Sequence, residues 1–114
     1  MAIGHDHVEK GSVIAATASV SKSAKLGQRI RIGPGAVIGD GVEIGNNCFV
    51  GSGSIIGEPT RDYYKNPDAY APPPTRLGDN CIIRAHCCVY AGASIGDEFE
   101  CGSYVQIREG SAIE

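Results

Sequence analysis

The sequence predicts an all-β solenoid of short parallel strands, and three regularities predict it. Aliphatic side chains recur every six residues at Val8, Ile14, Val20, Leu26, Ile32, Ile38, Ile44, Val50 and Ile56, without a miss. From Leu26 onward each is followed by glycine: Gly27, Gly33, Gly39, Gly45, Gly51 and Gly57. Two places before each, from Ser12 on, stand mostly small residues: Ser12, Ala18, Ala24, Ile30, Ala36, Val42, Cys48 and Ser54. A helix turns every 3.6 residues and cannot hold a six-residue period on one face, whereas alternating strand side chains broken by tight turns can. Each hexapeptide is then one short strand plus a corner.

The register breaks once and resumes. Leu77, Ile83, Val89, Ile95, Cys101, Ile107 and Ile113 again lie six apart, with Thr75, Cys81, Cys87, Ala93, Phe99, Val105 and Ser111 two before. The step from Ile56 to Leu77 is 21 residues, which six does not divide. Residues 58–75 (EPTRDYYKNPDAYAPPPT) are therefore expected to leave the solenoid as an excursion, since Pro59, Pro67 and Pro72 to Pro74 deny ladder hydrogen bonds. A long loop in a regular scaffold is either functional or a tolerated insertion.

Composition bounds the function. The chain has 114 residues, a net charge of −3 and a hydrophobic share of 42%, which fits one domain spanning residues 1–114. There is no basic surplus to hold a phosphate backbone, so nucleic acid is not an expected partner. No apolar run reaches the roughly 20 residues of a membrane helix, and the start MAIGHDHVEK lacks a leader's apolar core. No membrane partner is expected, and the cytoplasm is the expected compartment. Five cysteines, Cys48, Cys81, Cys87, Cys88 and Cys101, are an odd number without an export signal, and they read as reduced, small apolar residues rather than a disulfide framework.

The repeats IGPGAVIGDGVEIG and LGDNCIIRAHCCVYAGASIG resemble those of the hexapeptide-repeat acyltransferases, over nearly the whole chain. The resemblance implies a single-stranded left-handed parallel β-helix with three strands per coil, here about five to six coils. The opening ATASVSKSAKLGQRIRIGPGAVIGDGVEIG is similar to the first coils of the acyltransferases of lipid A synthesis. The stretch RLGDNCIIRAHCCVYAGASIGDEFECGSYVQIRE looks more like acyltransferases of sugars, including nucleotide-linked amino sugars. What this implies is a homotrimer with no tightly bound cofactor, using acetyl-CoA or another acyl-CoA as cosubstrate and a histidine near the groove between subunits. The acceptor would be a sugar hydroxyl or amine. Relatives usually add further coils and a capping helix, and both are expected to be missing where this chain stops at Ser111 to Glu114. A non-catalytic scaffold or small-molecule binding module is the alternative.

Three histidines narrow the choice of base. His86 is the one inside the repeats, three places after the inward Ile83, so it points outward and is the candidate general base; otherwise it is a surface residue at a corner. With 18 residues per coil, Tyr104 falls beside His86 and Arg108 beside Tyr90. These, with Arg84, are the candidate contacts to substrate or CoA in one groove, or else solvated edge residues. Sugar acyltransferases often carry paired histidines just before the IRE segment, where this chain reads Gly102, Ser103, Tyr104. His5 and His7 in HDH read as solvated, and no metal site is expected.

Overall fold

Two residues of extended chain per hexapeptide are enough to build a sheet when each strand pairs with the one a full coil away. The computed structural model describes residues 11–114. Its first face carries β1 (Val13–Ile14), β4 (Arg31–Ile32), β7 (Phe49–Val50), β10 (Ile82–Ile83) and β13 (Glu100–Cys101) in that order. The second carries β2 (Ser19–Val20), β5 (Val37–Ile38), β8 (Ile55–Glu58), β11 (Cys88–Tyr90) and β14 (Gln106–Ile107). The third carries β3 (Lys25–Leu26), β6 (Val42–Ile44), β9 (Thr75–Leu77), β12 (Ser94–Ile95) and β15 (Ala112–Ile113). Every pairing is parallel. The fold is a left-handed parallel β-helix, a triangular prism of hexapeptides.

The expected inward positions fill the prism. Ile32, Ile38, Ile44, Val50, Ile56, Leu77, Ile83, Val89 and Ile95 are all buried, and Ala18, Ala36, Cys48, Ser54, Cys81, Cys87 and Ala93 fit the narrower places beside the corners. Ile30 and Val42 occupy small positions and are fully buried as well. Cys48, Cys81 and Cys87 are free and buried, as small apolar residues should be. Position His5, position His7 and Val8 lie outside the described residues.

The coil survives its interruption. Ile14 pairs with Ile32 and Ile38 with Ile56, 18 residues apart, whereas Val50 pairs with Ile83, Ile56 with Val89 and Ile44 with Leu77, 33 apart. The excursion thus adds chain without shifting the phase of any face. Its ends differ by one residue from the expected 58–75: Glu58 pairs with Tyr90, and Thr75 pairs with Val42. Thr75 stays because its side chain is an inward one, 1% exposed, and Glu58 stays because the ladder shifts register between Val89 and Tyr90 to admit Gly57. Gly57 has φ +91, and a Cβ there would lie 2.6 Å from Val42, so only glycine fits this bulge.

Between those ends the loop is not featureless. A short helix, α1 (Arg61–Lys65), follows Thr60, and a 3₁₀ turn spans Pro67–Ala69. The Tyr63 ring meets Tyr64 and Tyr70 edge-on at 5.1 and 5.6 Å between centroids, and the Thr60 N–H donates to the Tyr70 hydroxyl at 3.3 Å, closing the loop's base. No helix among the described residues is long and apolar enough to cross a membrane.

Candidate functional site

The corner that turns from the first face to the second is built from stacked tetrapeptides. Gly33 to Ala36, Gly51 to Ser54, Arg84 to Cys87 and Gly102 to Val105 lie one above another, bonded by His86 N–H to the Ser52 carbonyl at 2.9 Å and Tyr104 N–H to the Ala85 carbonyl at 3.2 Å. The third residue of each adopts the left-handed region: Gly35 at φ +71, Gly53 at +69, His86 at +59 and Tyr104 at +63. Glycine does this freely and histidine tolerates it, but tyrosine in this region is uncommon. The two upper coils thus put rings where the lower coils have none.

Those rings stack. The His86 and Tyr104 centroids are 5.3 Å apart with 15° between their planes. A Cβ added to Gly53 would lie 2.6 Å from His86 Nδ1, so the imidazole rests on bare backbone below and on the phenol above. Gly53 is needed twice, for its backbone angle and for this approach. Tyr104 is 77% exposed, and His86 is exposed as well, so the edge of the imidazole reaches solvent.

Ser54 braces the corner. Fully buried, it donates its hydroxyl to the Arg84 carbonyl at 2.6 Å and accepts the Cys87 N–H at 3.0 Å, clamping both sides of the turn that carries His86. Sequence reading placed Ser54 only as a small inward residue. The signal was a hydroxyl in a column whose other members are Ala18, Ala36, Cys87 and Val105. Inside the corner, Cys87 Sγ donates to the Gly102 carbonyl of the next coil at 3.0 Å and lies 3.8 Å from Cys101 Sγ.

The other expected contacts do not share this corner. Arg84 does, two residues before His86. Tyr90 and Arg108 lie at the opposite edge of the second face, about 13 Å along the chain by strand rise from His86 and Tyr104 respectively. There Arg108 spreads over the Tyr90 ring at 4.2 Å and donates to Glu109 at 2.9 Å. That hydrogen bond raises the Arg108 pKa and lowers that of Glu109, although both are on the open surface. One molecule of the chain therefore presents two separate edges, a His86–Tyr104 stack and a Tyr90–Arg108 pair, rather than a single groove. Between them Cys88 points outward, its thiol pushed up by burial and then by the Glu58 carboxylate, which disfavours the thiolate a nucleophile needs. Among the described residues no three His, Cys, Asp or Glu side chains come together as a metal site.

Residues 23–58 match the family model described as bacterial transferase hexapeptide (six repeats), and residues 74–99 match that of the hexapeptide repeat of succinyl-transferase. Together the two matches span more than half of the chain. The protein belongs to the hexapeptide-repeat superfamily. Hexapeptide-repeat families include acyltransferases, which makes a transferase-like role the coarse functional reading of this hexapeptide-repeat chain. Residues 59–73, between the matches, all belong to the excursion, and His86 lies within the second match, whereas Tyr104 and Arg108 lie beyond it. No curated protein matches the chain.

Proposed function

We propose that this hexapeptide-repeat protein is an acyltransferase that moves an acyl group from acetyl-CoA, or another acyl-CoA, to a hydroxyl or amine of a sugar or nucleotide-linked sugar. The observation that carries the reading is the His86–Tyr104 stack: an imidazole with a solvent-facing edge, held on a braced corner in a sparsely populated backbone conformation. The chemistry needs one proton acceptor. The acceptor oxygen or nitrogen attacks the thioester carbonyl as His86 takes its proton; the tetrahedral intermediate collapses, the C–S bond breaks, and the departing CoA sulfur receives a proton. Tyr104 orients the ring, and Arg84 on the same corner meets donor phosphate. Tyr90 and Arg108 reach the substrate of a neighbouring copy, so the working unit is a homotrimer, in the cytoplasm.

One observation favours a second reading. Gly102, Ser103 and Tyr104 stand where the sugar acyltransferases this chain resembles often have paired histidines, which would leave a binding scaffold without turnover. Calorimetry with acetyl-CoA separates the two. Saturable binding to the assembled protein, followed by CoA release when a panel of amino sugars and sugar nucleotides is added, supports transfer. Absence of acetyl-CoA binding, or a monomer in sedimentation equilibrium at micromolar concentration, overturns it.

A further inference from the structure

We infer that the cleft between the excursion and the second face is a binding site for a small ring bearing an ammonium group, of which an amino sugar is the simplest case. The cleft encloses about 570 Å³, within the usual range for small-molecule sites and ample for a single sugar ring. Its floor is the flat outer surface of the sheet, where Val37 and Ile55 point outward. Its opposite wall is the loop, with Tyr63 and Tyr70 held edge-to-face and Pro67 beside them. Prolines and the Thr60–Tyr70 hydrogen bond fix that wall before any ligand arrives, which spares the entropy of ordering it. Tyrosine side chains across from an apolar floor suit the C–H face of a saturated ring, and aromatic rings also attract a cation.

Charge selects within that shape. Asp40 and Glu58 both line the cleft, and among the described residues no lysine, arginine or histidine does. Both carboxylates are oriented: Asp40 accepts from the Ser21 and Ser23 hydroxyls, and Glu58 accepts from the Tyr64 hydroxyl at 2.8 Å. An ammonium group gains charge-assisted hydrogen bonds there, whereas the phosphates of an acyl-CoA are repelled. The site lies over β2, β5 and β8, coils below His86, and it requires neither the acyl donor nor the proposed base.

The test uses the full chain without any acyl donor, titrated with glucosamine, glucose and N-acetylglucosamine and followed by calorimetry and by chemical shifts. Glucosamine is expected to bind about tenfold more tightly than its two neutral counterparts, the worth of one charge-assisted hydrogen bond, and to move the signals of Val37, Ile55 and Tyr63. Asp40→Asn and Glu58→Gln keep the local hydroxyl bonds and should each bring glucosamine close to glucose, while Asp79→Ala, outside the cleft, should leave its binding unchanged. Equal affinity for the three sugars overturns the assignment, as do shifts confined to other parts of the surface. So does an absence of binding, whether the cleft stands open or a second copy of the chain covers it. Because the donor is left out and His86 does not line the cleft, failure here does not bear on acyl transfer, and failure of acyl transfer does not bear on the cleft.

Discussion

Two corners of the prism rest on the same coil repeat and put it to opposite uses. Where the third face turns back to the first, Arg29, Asn47, Asn80 and Glu98 occupy the left-handed region in successive coils, and the residue before each is polar. Gln28 N–H donates to Asn46 Oδ1 at 2.8 Å, Asn46 N–H to Asp79 Oδ1 at 2.8 Å, and Asp79 N–H to Asp97 Oδ1 at 2.7 Å. Each side chain closes the coil beneath it, so this corner spends its polar groups on its own backbone. Where the first face turns to the second, backbone bonds, the Thr17 hydroxyl under Gly35 and the buried Ser54 do the closing, and the side chains of His86 and Tyr104 are left at the surface. Chemistry is available at the second kind of corner because structure has not consumed it.

The comparison breaks most visibly in rate. His86→Ala should lower acyl transfer by roughly two to four orders of magnitude, the usual worth of general acid-base help, with little change in thermal midpoint, because an exposed ring contributes little packing. Full transfer by this variant with a verified acceptor would assign the proton to another group. Ile83→Ala, from the inward position of the strand leading into the same corner, should cost about 2 to 5 kcal/mol in denaturant unfolding, because Ile83 is fully buried. A loss below 1 kcal/mol would mean that the prism collapses around the cavity.

The ladder corner should respond more mildly, and in stability alone. Asp79→Ala removes the acceptor for the Asn46 N–H and should cost about 1 to 2 kcal/mol while leaving ligand binding at His86 untouched. An equal loss of activity and stability would erase the distinction between the two corners. The smallest effect lies inside. Burial pushes the Cys48 thiol up to about 11 from an ordinary value of 9.0, and the thiol donates to the Gly78 carbonyl at 3.1 Å. A pKa raised by folding favours the protonated form, so this contribution is fully present below pH 9 and is lost as pH rises through about 11. By pH 10 the Cys48 share of the loss should be roughly 1 kcal/mol, measured by urea unfolding as the difference between the native chain and Cys48→Ala. Native thiol labelling should likewise spare Cys48, Cys81 and Cys87 until the chain unfolds.

Local chemistry made most of this fold legible in the sequence. Strand alternation and a corner every six residues settle, for each residue separately, whether it points in or out, so Ile38, Val89 and Cys87 declare themselves without reference to any partner. The same counting placed the excursion to within one residue at each end: Thr75, already in the inward column, belongs to its strand and not to the loop, and a bulge at Gly57 keeps Glu58 in its strand. Which residues meet across coils is a different matter, because it depends on the hydrogen bonds that close each turn. Eighteen-residue steps carry His86 to Tyr104 and Tyr90 to Arg108, yet the step beneath them is 33, so neither Gly53 under the imidazole nor Ser54 across its corner could be found by counting. Only the closed prism decided that the two pairs stand at opposite edges of one face, and that the loop folds down over earlier coils to enclose a cleft with two carboxylates. The period of a sequence specifies direction, whereas the angle around the axis and the path of an insertion are set by contacts between residues far apart in the chain.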